Sequence, residues 1–270
     1  MANPILNDKR WNDAARNPGW GAPDPETRRT PITDGPVSPW HSEVMTVSGT
    51  LTASGVLMVI LLAFAVVGWQ AAPESVPGEV TKFPLLAIGG VLVGFGCAIA
   101  MYFRPMWAKF LAPAYAIGQG FFLGVISKSY EDFQDGIVLQ AVGATLGVFI
   151  VMLVLYRTRI LKVTDKFRRI VITATLGLML FYLVSFVIRL IGGSGSVSFL
   201  NSASGVGIAF SLFAAGLAAM NLALDFDFIE RGSKQGLPKG MEWFAGFALM
   251  VTLVWLYLEM LRLLSKLNRR

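Results

Sequence analysis

Long uninterrupted apolar runs, separated by short polar connections, make up most of the chain after residue 44. Seven runs are long enough for a helix that crosses a bilayer, which needs about 20 apolar residues at ~1.5 Å each. They lie at about 46–70, 83–103, 110–128, 137–156, 170–191, 203–224 and 243–264. Because the connections are short, we expect neighbouring helices to run antiparallel. The pattern predicts an all-α integral membrane protein, a seven-transmembrane-helix bundle over residues 45–265.

Both ends of the chain differ from this pattern. Residues 1–44 are polar, mixed in charge and rich in Pro, Gly, Asn and Asp, which predicts a flexible tail. Its tryptophans, Trp11, Trp20 and Trp40, fit anchors at the membrane interface, a docking segment for a partner, or incidental positions. Residues 266–270 form a short basic tail at the other end.

Composition narrows the function classes. The chain is 54% hydrophobic and 15% charged, whereas a soluble domain carries about a quarter charged residues. Its single cysteine, Cys97, excludes an intrachain disulfide, and its single histidine, His41, lies in the tail. The spans therefore hold no Cys/His metal cluster and no nucleophile–histidine pair. We expect neither an enzyme nor a resident cofactor.

Lysine and arginine are concentrated in alternate connections. The connection 157–169 carries six of them, and 226–242 carries three, whereas 129–136 and 192–202 carry none. Basic connections face the cytoplasm in most membrane proteins, so the N-terminus is predicted to be cytoplasmic. Seven spans then put the basic C-terminal end outside, unless the last segment does not cross fully. We attribute the net charge of +6 to this orientation signal. The charge therefore does not indicate nucleic-acid binding, and we do not expect nucleic acid as a partner.

Three predicted spans carry glycines four residues apart. The pairs are Gly90 and Gly94, Gly120 and Gly124, and Gly143 and Gly147. This spacing lets helix backbones approach closely, although glycine is also simply common in membrane helices.

Acidic residues cluster where the sixth span ends and the seventh begins. They are Asp225, Asp227, Glu230 and Glu242. An ionisable group inside a bilayer costs about 2.5–3.5 kcal/mol at a helix centre, so such groups are functional candidates. The alternative for each acid is that it marks a solvated loop end.

Further polar groups lie within the spans. Asn221 and Asp225 are four apart and so share one face of the sixth helix, whereas Asp227 is expected to point into the following turn. In the seventh span, Glu259 either belongs to an ion path or pairs with Arg262. Gln119 lies in the third span. Two buried acids that share a proton would titrate as one unit, which suits a proton-sensitive latch on a cation path.

Several segments carry a resemblance to a known family. They are Pro113–Ser127 with 136–142, the stretch Leu-Asp-Phe-Asp-Phe-Ile-Glu-Arg-Gly at 224–232, Met-Glu-Trp-Phe at 241–244, and Leu-Val-Trp-Leu-Tyr-Leu-Glu-Met-Leu-Arg at 253–262. Over roughly residues 44–265 the chain resembles the bacterial branch of the Bax inhibitor family, the YccA-like proteins with the transmembrane Bax-inhibitor motif.

The resemblance implies six helices around a central seventh and a pH-sensitive calcium leak across the membrane. It also implies a gate of two aspartates, on the sixth and seventh helices, that share a proton. The sixth-helix aspartate corresponds to Asp225, with Asp227 as the alternative register. The expected seventh-helix position holds Thr252 or Val254 instead of an acid, and Glu242 and Glu259 are the nearest acids on that segment. Gln119 stands where related sequences often carry a glutamate.

Two functions follow as expectations. The first is a pH-sensitive calcium leak in the plasma membrane of a bacterium, with calcium or protons as the transported ion. The second is a non-conducting protein that binds or regulates a membrane protease, a respiratory complex or another membrane assembly. The missing seventh-helix acid, Gln119 and the tryptophans of the tail favour the second.

Overall fold

The computed structural model describes residues 44–73, 85–192 and 203–269. The predicted tail, apart from Val44, lies outside these ranges, as do its three tryptophans. The side chains of residues 85, 86, 88 and 189–192 are also outside them.

Seven α-helices and no strands make up the described ranges, in agreement with the seven predicted segments. The helices are α1 Val47–Ala71, α2 Leu85–Phe103, α3 Ala108–Phe133, α4 Ile137–Arg157, α5 Asp165–Gly192, α6 Gly205–Lys234 and α7 Met241–Leu267, with a 3₁₀ turn at Pro105–Trp107. All except α2 are long and apolar enough to cross a membrane. In α2 the searched apolar stretch, Gly89–Phe103, is shorter. The chain is thus a multi-pass membrane protein, and its orientation stays a prediction.

Helix α6 extends ten residues beyond the end of the predicted sixth span, residue 224. The acidic cluster at 225–230 therefore lies within a helix, and the prediction that Asp227 points into a turn is wrong. Charge pairs four residues apart hold this polar extension helical, because such side chains are neighbours on one helix face. Asp227 pairs with Arg231 at 2.9 Å, and Glu230 pairs with Lys234 at 2.5 Å.

Glycines bring α1 and α3 into backbone contact. A Cβ atom added to Gly120 would lie 2.3 Å from the Leu61 carbonyl oxygen, and one on Gly124 would lie 2.0 Å from that of Ala65. Only glycine permits this approach, so the predicted role of this pair in close packing is confirmed.

The other two predicted glycine pairs differ from each other. Gly90 meets the backbone of Gly118 on α3, and Gly94 meets the side chain of Gln119. Around Gly143 and Gly147, in contrast, no described atom lies within 4 Å of an added Cβ. The spacing of glycines alone therefore did not distinguish packed from open positions.

Helix α7 packs against α1, α3, α4 and α6. Its residues belong to both of the larger apolar clusters, for example Met250 with α1 and α3, and Leu256 with α4 and α6. A helix that buries residues around most of its circumference is a core helix. This packing places side chains of α7 directly against the acidic part of α6.

Candidate functional site

A cavity of about 440 Å³ opens beside the C-terminal part of α6. Its lining comes from α5, α6 and the turn after α6: Arg168, Ile172, Asn221, Leu224, Asp225, Phe228, Arg231, Gly232, Gln235 and Leu237. The predicted shared face of Asn221 and Asp225 is confirmed, because both line this cavity. We call it the Asp225 cavity.

Asp225 has a carboxylate oxygen without a partner. Its Oδ2 atom is buried and accepts no hydrogen bond from any residue that the structure describes. Burying a carboxylate without a hydrogen bond or a cation disfavours its charged form strongly. A half-buried carboxyl group that also lines a cavity is suited to bind and release a proton.

The neighbour of Asp225 on α7 is Thr252, whose hydroxyl group lies beside the carboxyl group. Thr252 already donates its hydroxyl proton to the Ala248 carbonyl oxygen at 3.1 Å. The oxygen of that hydroxyl remains able to accept a hydrogen bond, because a hydroxyl has two lone pairs. Of the two positions that the sequence left open for the second acid, Thr252 is therefore the one that faces Asp225.

Asp227 has the opposite environment although it is two residues away. Its side chain is 9% exposed, and its carboxylate binds two arginines, Arg168 of α5 at 2.5 Å and Arg231 at 2.9 Å. Both arginines line the Asp225 cavity. Asp227 is thus a paired carboxylate that joins α5 to α6 and positions two cations at the cavity.

Glu230 completes the acidic part of α6 and is also paired. Its carboxylate binds Arg159 at 2.7 Å and Lys234 at 2.5 Å, and it accepts a hydrogen bond from the Tyr156 hydroxyl at 2.5 Å. These contacts tie the end of α4 to α6. Of the three acids in this cluster, only Asp225 has no cationic partner among the described residues.

Asn221 connects the cavity to α5. Its side-chain amide donates to the Thr175 hydroxyl at 2.8 Å and to the Leu217 carbonyl oxygen at 2.9 Å. Both donor positions of the amide are therefore occupied, which leaves its carbonyl oxygen as the group available to the cavity.

Glu242 lies away from the cavity and binds the start of α1. Its Oε1 atom accepts from the Thr46 backbone nitrogen and from the Thr46 hydroxyl, each at 2.9 Å. Thr46 is the N-cap of α1 and in turn accepts from the Gly49 nitrogen at 2.9 Å. A carboxylate at a helix N-terminus satisfies free N–H groups and complements the helix dipole. This contact gives Glu242 a structural role.

Glu259 is 1% exposed and belongs to a separate polar network. Arg262 binds both of its carboxylate oxygens, at 2.8 and 2.9 Å, and the Tyr182 hydroxyl donates to it at 2.8 Å. The pairing of Glu259 with Arg262, one of the two interpretations of this residue, is confirmed. Tyr182 also brings α5 to α7 at this point.

Gln119 is also outside the Asp225 cavity. Its side chain packs against Gly94, between α2 and α3. The structure thus brings Asn221, Asp225 and Asp227 together, and it places Glu242, Glu259 and Gln119 in three other locations.

Sequence reasoning did not assign a site role to Arg168. It lies in the predicted basic connection 157–169, which was used only to predict orientation. The spacing of Asp227 and Arg231 predicts an ion pair within α6, but it does not indicate that an arginine of α5 also binds Asp227. Among the described residues, no group of three or more His, Cys, Asp or Glu side chains is arranged to hold a metal ion.

Comparison with known families gives a match over nearly the whole chain. The profile of a family described as "Bax inhibitor 1 like" matches residues 3–269, nearly the whole chain. A comparison with curated proteins finds no match.

Proposed function

We propose that this chain, which belongs to the Bax inhibitor 1 like family, is a proton-sensitive cation leak in which Asp225 is the gating acid. The observation that carries the proposal is the buried Oδ2 atom of Asp225, which has no described hydrogen-bond partner and lies beside a cavity of about 440 Å³. Calcium is the transported ion that the family resemblance suggests, and protons are the alternative. We place the protein, in this proposal, in the plasma membrane of a bacterium with its N-terminus in the cytoplasm. Helix α7 is proposed to lie at the centre of the other six helices.

In the proposed mechanism the charge of Asp225 changes the contact between α6 and α7. When protonated, its carboxyl group donates to the Thr252 hydroxyl, which keeps its own bond to Ala248. When ionised, the carboxylate can only accept, so the Thr252 hydroxyl must leave Ala248 to serve it. An ionised Asp225 also attracts a cation or water into the contact, because a buried charge without a partner is unfavourable. Either response loosens the packing of α6 on α7.

The oxygen atoms near Asp225 are too few to hold calcium as a resident ion. Calcium takes six to eight oxygen ligands, whereas the carboxyl group of Asp225, the carbonyl of Asn221 and the hydroxyl of Thr252 supply about half of these. A calcium ion passing Asp225 would therefore keep much of its water. This supports passage in preference to tight binding.

The charges beside the cavity favour a slow leak. Arg168 and Arg231 carry two positive charges against the single negative charge of Asp227. While Asp225 is protonated, this excess of one positive charge opposes the approach of a divalent cation, since like charges repel at short range. The charge of an ionised Asp225 cancels the excess. A cavity that attracts cations strongly would need more negative than positive charges in its lining.

The test is ion flux in proteoliposomes between about pH 6 and 8, where perturbed buried carboxyl groups titrate. Calcium and proton flux are measured for the wild type and for Asp225→Asn. We expect wild-type flux to change with pH and the variant to lose that change. Asp135→Asn is the matched control, because it makes the same substitution at an exposed acid between α3 and α4.

Each result decides between the alternatives. An unchanged flux-versus-pH curve in Asp225→Asn would remove Asp225 as the gate. Flux no greater than that of empty liposomes at every pH would remove the leak.

The second candidate is a non-conducting protein that binds or regulates a membrane protease, a respiratory complex or another assembly. The hydroxyl group of Thr252 favours this candidate. It lies beside Asp225, where a gate of two acids needs a second carboxyl group. Copurification of one stoichiometric partner from native membranes in mild detergent supports this reading. A monodisperse chain without a partner counts against it.

A further inference from the structure

A second cavity, of about 200 Å³, lies where α3 and α7 end. Its lining residues are Ser129, Tyr130, Phe133, Arg262, Ser265, Lys266 and Arg269. Three of the seven are cationic, three carry hydroxyl groups, and none is acidic. We call it the α3–α7 pocket.

Lys266 carries a buried positive charge without a matching negative one. The residue is 3% exposed, and its ammonium group donates to the Gly207 carbonyl oxygen at 2.9 Å and to the Ser211 hydroxyl at 2.7 Å. Both acceptors are neutral, and two bonds leave one of the three ammonium protons without a described acceptor. Lysine is seldom this buried unless it is paired with an anion.

Other charges near the pocket do not neutralise Lys266. Glu259, whose charge acts on Lys266, is already bound through both oxygens by Arg262. Arg269 is exposed, and no ion pair holds it within the described part of the chain. The connection 193–202, which precedes α6, contains no acidic residue. With Arg262 paired, the pocket retains the charge of Lys266 and Arg269, about two positive charges.

The nearby acids of α3 are directed elsewhere. Asp132 pairs with Lys128 at 2.5 Å. Glu131 accepts from the backbone nitrogens of Gly136 at 2.6 Å and Val138 at 3.0 Å, at the start of α4. These carboxylates therefore serve the connection between α3 and α4 and not the pocket.

We propose that the α3–α7 pocket binds the phosphate group of an anionic lipid headgroup. Cationic and hydroxyl donors together form the charge-assisted hydrogen bonds that phosphate oxygens accept. The pocket lies at the ends of two membrane helices, the level at which headgroups sit, and Phe133 at its edge is 62% exposed. Its volume is below the roughly 300–1,000 Å³ of pockets for larger ligands, which suits a headgroup.

This site is independent of the proposed leak. Gly207, which Lys266 binds, precedes Asp225 by 18 residues along α6, or about 27 Å at ~1.5 Å rise per residue. The two cavities therefore lie toward opposite ends of α6. Because the two cavities share no lining residue, we expect a variant in the α3–α7 pocket to leave the Asp225 cavity unchanged.

The test is thermal unfolding of the purified full chain in neutral detergent during titration with soluble short-chain lipids. Dihexanoyl phosphatidylglycerol, with one net negative charge, is compared with zwitterionic dihexanoyl phosphatidylcholine and with inorganic phosphate. A ligand that binds only the folded state raises the unfolding temperature in a saturable way. We expect phosphatidylglycerol to do so, phosphatidylcholine to have no saturable effect, and inorganic phosphate to bind at least about tenfold more weakly, since it lacks the apolar chains.

Variants assign the effect to the pocket. Arg269→Gln should weaken the apparent affinity for phosphatidylglycerol about fivefold, the value of one cation near an anionic headgroup. Lys266→Met should weaken this affinity further. If Lys266→Met does not fold, Arg269→Gln alone tests the proposal, because Arg269 is exposed and its substitution should not disturb the fold. Arg157→Gln, the same change at an exposed arginine where α4 ends, should leave the affinity unchanged.

Three results would overturn the proposal. They are equal shifts with phosphatidylcholine and phosphatidylglycerol, an unchanged affinity for phosphatidylglycerol in Arg269→Gln, and inorganic phosphate binding as tightly as the lipid. The last result would assign the pocket to a soluble anion instead.

Discussion

Thr252 of α7 lies beside Asp225 of α6, so a hydroxyl group faces the carboxyl group that the proposed gate requires. The resemblance to the Bax inhibitor family implies an acid at this place on the seventh helix, and this chain has none there. A hydroxyl can accept a hydrogen bond from a protonated carboxyl or donate one to an ionised carboxyl. The pair can therefore respond to a proton with a single ionisable group.

Thr252→Asp would restore a second acid. Two neighbouring carboxyl groups cannot both ionise cheaply, so the pair should hold a proton to higher pH than Asp225 alone. We expect the midpoint of the flux-versus-pH curve to move up by about 1 pH unit, the coupling expected of adjacent acids. Thr252→Val, which keeps the shape and removes the hydroxyl, is the control. A midpoint that stays in place in Thr252→Asp would show that this position does not act on the gate.

Asp227→Asn would release two arginines at once. Arg168 and Arg231 would lose their shared counter-charge, and the cavity would gain one positive charge. Because the arginines are partly exposed, we expect a loss of about 1–2 kcal/mol in the free energy of unfolding. Cation flux should also fall. Glu230→Gln breaks ion pairs that are more exposed, so it should lower the free energy of unfolding by less. A larger decrease in Glu230→Gln than in Asp227→Asn would contradict this expectation.

Glu242→Gln tests the structural assignment of the acid at the start of α7. The variant keeps one amide oxygen to accept from Thr46 but loses the negative charge at the N-terminus of α1. We expect the free energy of unfolding to fall by about 1 kcal/mol, with the pH midpoint of flux unchanged. Thermal unfolding and the flux curve measure the two effects separately. A shifted midpoint with unchanged stability would instead place Glu242 in the gate.

Gly124→Ala and Gly143→Ala are a matched pair in the helix interior. The methyl group on residue 124 would lie 2.0 Å from the Ala65 carbonyl oxygen, whereas no described atom lies within 4 Å at residue 143. Overpacking of this kind costs about 1–3 kcal/mol, so we expect the first variant to unfold at a lower temperature or to lose folded yield. The second should be unchanged or more stable by at most about 1 kcal/mol, since alanine favours a helix. Similar stability of both variants would contradict the α1–α3 contact.

The sequence predicted the helices well because the length of an apolar run is a local property. All seven predicted segments are helical, and most of their ends agree within a few residues. The end of α6 was the clear exception. There the pairs of Asp227 with Arg231 and Glu230 with Lys234 keep a polar stretch helical, so hydropathy alone placed the boundary too early.

The environment of each acid could not be read in the same way. Asp225 and Asp227 are two residues apart with similar neighbours in sequence, yet one has an unpartnered oxygen and the other binds two arginines. The partner that separates them, Arg168, lies on α5. Distant helices likewise supply Thr46 to Glu242 and Tyr182 to Glu259.

By itself, the sequence determined that this is a multi-pass helical protein of the Bax inhibitor 1 like family, and that four of its acids lie near the junction of the sixth and seventh helices. The tertiary structure alone decided which acid is unpaired, that Thr252 faces it, and that Lys266 is buried against α6. The physical reason is that hydrophobicity and helix periodicity act over neighbouring residues. The charge balance around a buried group, in contrast, depends on side chains that only helix packing brings together.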